Sequence, residues 1–180
     1  MEKTGIISQS NSHWSSPLHG QEEGWRLESL WRLQTAEHSY MPDRYPLPNI
    51  ADFTSRVKGS TVFSKLDLQK GYYQVPMAED DICKMAIITP FGMFEFLRLP
   101  FGLINTGNTF QRMMDSILGD LPYCFTYVDN ILLFSNSLEE HEDHLCQVLL
   151  LCREHGLTIG LPKCEFAVPE IEFLGHVLSA

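Results

Sequence analysis

Apolar and polar residues alternate in short, irregular runs along this chain, broken by Pro and Gly. Thr61 to Leu68 reads as a strand, and Gly71-Tyr72-Tyr73-Gln74-Val75 continues it after a turn. Lys84 to Thr89 and Met93 to Leu99 read as two strands around Pro90-Phe91-Gly92, a hairpin pattern. A second hairpin runs from Pro122-Tyr123-Cys124-Phe125-Thr126 through Tyr127-Val128-Asp129-Asn130 into Ile131-Leu132-Leu133-Phe134, with Asp129-Asn130 as its polar tip. Between the hairpins, Asn105 to Leu118 carries Phe110, Met113, Met114 and Ile117 at helical spacing. Asn49 is placed to cap a helix over Ile50, Phe53 and Val57. Ser137 caps the strongest helix, with Glu140 as its capping-box partner and Leu138, Leu145, Val148, Leu149 and Cys152 as its stripe. Gly156 ends that helix. Leu157-Thr158-Ile159 and Glu172 to Leu178 read as short strands. Residues 1–24 are polar and aperiodic and read as loose; Trp25 to Leu33 suits a short helix. Hairpins demand antiparallel pairing, so the expected class is α+β: an antiparallel sheet with helices packed on one face.

Composition narrows the picture. The 180 residues suffice for one domain with a real core, and the 44% hydrophobic and 20% charged residues are ordinary for a globular protein. No apolar run approaches the roughly 18–20 residues of a membrane span, and no signal-peptide pattern opens the chain. Five cysteines without tight pairs suit reduced thiols, hence an intracellular setting, cytoplasmic or nuclear. The net charge of −10, from 13 Lys+Arg against 23 Asp+Glu, argues against a tight grip on nucleic acid by the isolated chain.

The candidate chemistry lies in two carboxylates. Asp129 stands at a hairpin tip, clear of its sheet, and Asp67 ends another apolar strand. Two such groups are the minimum for phosphoryl transfer with two metal ions. Each also has an ordinary reading, Asp129-Asn130 as turn residues and Asp67 as a cap of the following turn. His141, His144, Cys146, Cys152 and His155 raise zinc as another candidate. They fall within one helix pattern, whereas zinc sites draw ligands from loops or from two elements, so zinc is set aside.

An ordered set of motifs favours the metal-site reading. Phe63-Ser64-Lys65-Leu66-Asp67-Leu68-Gln69-Lys70-Gly71-Tyr72-Tyr73-Gln74-Val75 resembles polymerase motif A of gypsy-type LTR retrotransposon reverse transcriptases. Leu99-Pro100-Phe101-Gly102-Leu103 with Thr109-Phe110-Gln111-Arg112-Met113-Met114 resembles their motif B. Tyr127-Val128-Asp129-Asn130 resembles motif C, Gly156-Leu157-Thr158-Ile159 with Lys163-Cys164-Glu165-Phe166 motif D, and Phe173-Leu174-Gly175-His176 motif E, the primer grip. Asp43-Arg44-Tyr45-Pro46-Leu47-Pro48 matches the family's lead-in. The resemblance spans about residues 42–180, in order. It implies a right-hand polymerase fold of fingers and palm. Asp67 and Asp129, with Asn130 beside them, would hold two Mg²⁺ ions (or Mn²⁺) for transfer of a nucleotide to a primer 3′ end. Tyr72 would be the steric gate that crowds a ribose 2′-hydroxyl. Leu68, Phe101, Gly102, Gln111 and Tyr127 would line the nucleotide and template, and Lys163 would protonate the leaving pyrophosphate. Partners would be a primer–template of RNA or DNA, dNTPs and the rest of a Pol polyprotein.

Two departures bear on activity. Asn130 stands where the family's motif C has its second aspartate. An amide cannot balance two dications, and a loss of roughly 3–5 kcal/mol in transition-state stabilisation would mean about 10²–10⁴ in rate. From Gly20 to Met41 the family's lysine-rich fingers segment is replaced by other residues, as a compensated frameshift would leave them. Residues 1–41 are therefore expected to be a degenerate fingers segment, and 42–180 the fingers and palm without thumb, connection or ribonuclease H domain. The alternative is a non-catalytic remnant serving as a nucleic-acid or protein interaction module.

Overall fold

A computed structural model describes residues 1–14, 16–17 and 42–179. The helix expected over 25–33 and the stretch 20–41 lie outside the described residues. The described chain forms two compact units, one from residues 1–44 and 72–106, the other from 45–71 and 107–180.

The elements in chain order are β1 (Ile7–Gln9), β2 (Ser16–Pro17), α1 (Ile50–Val57), β3 (Val62–Asp67), α2 (Glu79–Ile82), β4 (Ala86–Thr89) and β5 (Gly92–Phe96). There follow α3 (Thr106–Leu118), β6 (Cys124–Tyr127), β7 (Asn130–Ser135), α4 (Leu138–Glu154), β8 (Glu165–Val168), β9 (Glu170–Phe173) and β10 (His176–Ser179).

The first unit is built on a four-stranded sheet in the order β1-β5-β4-β2. The expected hairpin is β4–β5, with Thr89 opposite Gly92. Residues 1–24 read as loose from their composition, yet two of their described segments join this sheet. β1 pairs antiparallel with β5, Ile7 opposite Phe96, and β2 pairs in parallel with β4. Ile6 is buried with Met85, Ile87 and Phe96. Strands of two or three residues are too short for a period, and their partners lie some 80 residues on, so no local signal announces them.

The second unit carries a four-stranded antiparallel sheet in the order β6-β7-β3-β8. Alternation along these strands sends Phe63, Phe125, Leu132 and Phe134 to one face and Ser64, Thr126, Leu133 and Ser135 to the other. The first face packs against Phe53 and Val57 of α1 and Ile171 and Phe173 of the β9–β10 hairpin. α4 covers the second face, where its buried His141 lies between Ser64 and Ser135. α1 thus packs on the first face and α4 on the second. Arg56 of α1 donates to the carbonyls of Leu121, Pro122 and Cys124, fixing the approach to β6.

Local departures have local causes. Residues 71–74 form a 3-10 turn rather than a continued strand. Glu172 to Leu178 is not one strand but the β9–β10 hairpin, turned at Leu174-Gly175, both at positive φ. Leu157 to Ile159 makes only a bridge from Ile159 to Leu68. Ser137 caps α4 by accepting from the Glu140 N–H, while the Glu140 carboxylate reaches the N–H of Asn136 instead of that of Ser137. Gly156, at φ 70°, closes the helix as Leu157 N–H reaches back to the Cys152 carbonyl at 2.7 Å.

Candidate active site

β3 places Asp67 at its last position, and the register sets Asp67 directly opposite Asn130 at the start of β7. Directly opposed residues on antiparallel strands send their side chains to the same face, so Asp67 and Asn130 stand side by side. One residue on, the Leu68 N–H donates to the Asp129 carbonyl at 3.1 Å, which ties the end of β3 to the hairpin. The Leu68 side chain is buried, so its contribution is this backbone bond and not a surface for nucleotide. On the other side of Asp67, the Gly160 N–H donates to the Asp67 carbonyl at 2.7 Å. A Cβ on Gly160 would lie 3.4 Å from both Asp67 oxygens, carbonyl and Oδ1. The turn that follows carries Lys163, whose Nζ is 3.5 Å from Asp67 Oδ1.

The hairpin turns one residue earlier than its polar pair suggested. Tyr127 pairs with Asn130, so the two tip residues are Val128 and Asp129, and Asn130 already belongs to β7. Val128 has φ 54°, while Asp129 is not in the positive-φ region. Positive φ at the first central position alone is the pattern of a type II′ turn. For a β-branched residue that conformation is strained by about 1–3 kcal/mol. Gln111 offsets part of the strain, accepting the Val128 N–H on Oε1 at 2.7 Å. Its Nε2 donates to the Thr126 carbonyl at 3.2 Å. Gln111 is fully buried, so it braces the hairpin from below and is not a nucleotide-lining residue here. Gly71 is the residue that composition left unnoticed: a Cβ there would lie 2.9 Å from Asp129 Cβ and 3.1 Å from the Phe110 ring. Its place four residues after Asp67 was the available signal.

Asp67, Asp129, Asn130 and Lys163 therefore share one site. Asp67, Asn130 and Lys163 line a cleft of about 510 Å³, together with Lys65, Phe173 and Leu174. Phe173 itself is buried against Phe53 and Phe125 and anchors the β9–β10 hairpin, leaving Gly175 and His176 exposed. Tyr127 packs half-buried against the same core. Tyr72, Phe101 and Gly102 belong to the first unit. There the Tyr72 and Phe101 rings meet edge to face at 4.8 Å, and Gly102 turns at φ 89°.

The donor set decides what cation fits. Among the described residues no three His, Cys, Asp or Glu side chains form a metal-holding group. The site offers two carboxylates and one amide, and the Asn130 Nδ2 donates to Asp129 Oδ1 at 3.1 Å. Asp67 and Asp129 are the residues of this site that could hold a divalent cation, and a second such ion would find one carboxylate too few to balance its charge. Burial raises the Asp129 pKa, its backbone hydrogen bond opposes this, and the neighbouring Asp67 adds to the rise while Lys163 counters it.

Known proteins resemble this chain in both fold and sequence. The foamy virus protease–reverse transcriptase solved with an RNA/DNA hybrid superposes with TM-score 0.88 at 20% identity, covering 99% of this chain and 24% of that one. The fold is therefore the α+β fold of the polymerases. The family profile "Reverse transcriptase (RNA-dependent DNA polymerase)" matches residues 23–178. The Retrovirus-related Pol polyprotein from transposon 297 of Drosophila melanogaster is 36% identical over 99% of this chain. Polyprotein P3 of Commelina yellow mottle virus is 36% identical over 98%. This chain belongs to the reverse transcriptase family, as the domain found in retrotransposon Pol polyproteins. It spans 18% of the transposon 297 protein and 9% of Polyprotein P3.

Proposed function

We propose that the chain is the nucleotidyl-transfer domain of a gypsy-type LTR retrotransposon Pol polyprotein, an RNA-directed DNA polymerase whose present copy is impaired. The observation that carries the reading is the register that sets Asp67 against Asn130, with Leu68 bonded to Asp129. In this reading the unit of β3, β6 and β7 is the palm and the β1–β5 unit belongs to the fingers. The primer 3′-hydroxyl attacks the α-phosphorus of a dNTP and pyrophosphate leaves. Asp67 and Asp129 would hold Mg²⁺, which supplies Lewis-acid stabilisation of the phosphoryl charge when bound. Lys163 beside Asp67 is the cation available to the leaving group. Tyr72, held by Phe101, is the group that would crowd a 2′-hydroxyl. The exposed end of the β9–β10 hairpin, Gly175 and His176, suits the primer backbone. RNA or DNA primer–template, dNTPs and the rest of the polyprotein are the partners.

Asn130 supports the impairment. Its amide adds no charge and occupies Asp129 Oδ1 as a hydrogen-bond donor. The same contact favours the second reading, a non-catalytic remnant on an intact palm. Primer extension on a homopolymer RNA template separates the two. The expected result is weak incorporation dependent on Mg²⁺ or Mn²⁺, abolished by Asp67→Ala and raised about 10²–10⁴-fold by Asn130→Asp. No incorporation from either the parent or Asn130→Asp would establish the remnant. We attribute residues 20–41 to a compensated frameshift; a coding DNA without a lysine-rich segment in any frame would refute that.

A further inference from the structure

Gln111 can brace the hairpin only if its amide points the right way. At 3.2 Å from Nε2 lies the Thr126 carbonyl, and at 2.8 Å lies Asp115 Oδ1. A carbonyl and a carboxylate only accept, so the NH₂ must face them. That leaves Oε1 to accept the Val128 N–H. Turned over, the amide would set its oxygen against two acceptors and its NH₂ against the Val128 donor. Asp115 supplies the charged member of this pair, and a hydrogen bond to a carboxylate is the stronger kind. The same Oδ1 accepts from the Thr126 hydroxyl at 3.1 Å.

Asp115 is itself held from outside the helix. The Tyr45 hydroxyl donates to its Oδ2 at 2.7 Å. Tyr45 is fixed in turn by Asn108 Nδ2, which donates to its carbonyl at 2.6 Å, and by the Arg112 guanidinium, 4.9 Å from its ring centre. Tyr45 thus straps onto α3 through residues 108, 112 and 115, three positions on one face of the helix.

We infer that Asp115 and Tyr45 are positioning residues for the catalytic hairpin. Tyr45 holds the Asp115 carboxylate, Asp115 orients the Gln111 amide, and Gln111 fixes the strained Val128 peptide that precedes Asp129. The inference rests on the polymerase reading only for its purpose; the chain of bonds stands without it.

The test uses the whole 180-residue chain labelled with ¹⁵N-valine. Amide exchange at Val128 is compared with that at Val148, which is buried in α4 and outside the bond chain. In Asp115→Asn one oxygen becomes a donor, so Gln111 or Tyr45 loses its acceptor. Val128 exchange should rise about tenfold, the worth of one hydrogen bond, with Val148 unchanged. Tyr45→Phe, which keeps the ring under Arg112, should move Val128 in the same direction by a smaller factor. Unchanged Val128 exchange in both variants overturns the inference. So does an equal rise at Val128 and Val148, which would make Asp115 a stability residue only. If Asp115→Asn does not fold, Tyr45→Phe decides by the same comparison. None of these readings needs polymerase activity, so a failure of primer extension does not imitate a failure of the bond chain.

Discussion

Single residues in this protein trade stability for a site. Asp129 is half-buried beside Asp67, and burial raises its pKa. A carboxylate with a raised folded-state pKa binds its proton more readily folded than unfolded. Its ionisation therefore costs stability, and the cost is fully present above the folded pKa and vanishes as pH falls to the unfolded value near 4. Asp129→Asn should accordingly raise the urea midpoint at pH 7 while ending any incorporation; a lower midpoint would contradict the argument. His141 has the opposite linkage. Its Nε2 lies 2.7 Å from Ser64 Oγ, which accepts the Ala167 N–H, and its Nδ1 lies 2.8 Å from Ser135 Oγ, which also meets His144 Nδ1. One proton order uses every group: Ser64 donates to Nε2, and the Nδ1–H donates to Ser135, which donates to His144. A second proton on Nε2 would face a hydroxyl that needs an acceptor. Burial lowers the His141 pKa, with His144 adding to it. The contribution is complete above the unfolded value of about 6.5 and declines as pH falls through it toward the lower folded pKa. Unfolding free energy measured from pH 8 to pH 5 should drop on the acid side. His141→Gln should flatten that drop; an unaltered slope would place the titration elsewhere.

At the level of elements, the Asp129 hairpin is set by what lies beneath it. Gly71 has no side chain because Asp129 Cβ and the Phe110 ring occupy the space, at 2.9 and 3.1 Å from where a Cβ would sit. Gly71→Ala should cost about 1–3 kcal/mol by overpacking and displace the hairpin with it. Urea unfolding checks the first effect; a change under about 0.5 kcal/mol would mean that the hairpin yields freely. This close approach explains which parts of the site were legible in sequence. Asp67, Asp129 and Lys163 stand out because their residue types and motif spacing are local facts, and the structure brings all three together. The hairpins β4–β5 and β6–β7 were legible because their strands flank a turn. Gln111 was misread because its neighbours Phe110 and Met113 mark a helix but not which face meets β6. The turn itself was placed one residue late, since Val128 is the last residue type expected at positive φ. β1 and β2 left no periodic trace, and β9–β10 read as one strand because Leu174-Gly175 lacks the polar residues of most two-residue turns.

The whole molecule carries −10, and this sets how it meets a nucleic acid. Much of the acid lies on helices, with Glu79, Asp80 and Asp81 in α2 and Glu139 and Glu140 opening α4. Basic groups near the site are partly spent. Lys65 is paired to Glu165 at 2.5 Å, and Lys163 faces Asp67. Affinity for a duplex comes mainly from phosphates neutralised and counterions released, so each free cation matters more than the shape of the groove. The isolated chain should therefore bind an RNA/DNA hybrid no more tightly than about 10⁻⁶ M at physiological salt. The logarithmic salt slope should be shallow, with a magnitude below about 3, because few phosphates are contacted. Fluorescence anisotropy across 50–200 mM salt, a range over which strong phosphate binders lose about 10³–10⁵ in affinity, reads both quantities. Nanomolar binding with a steep slope would mean that a local basic groove outweighs the bulk charge. Weak, shallow binding would make grip the limiting step, so that repairing Asn130 alone would raise the rate of each addition without lengthening the product.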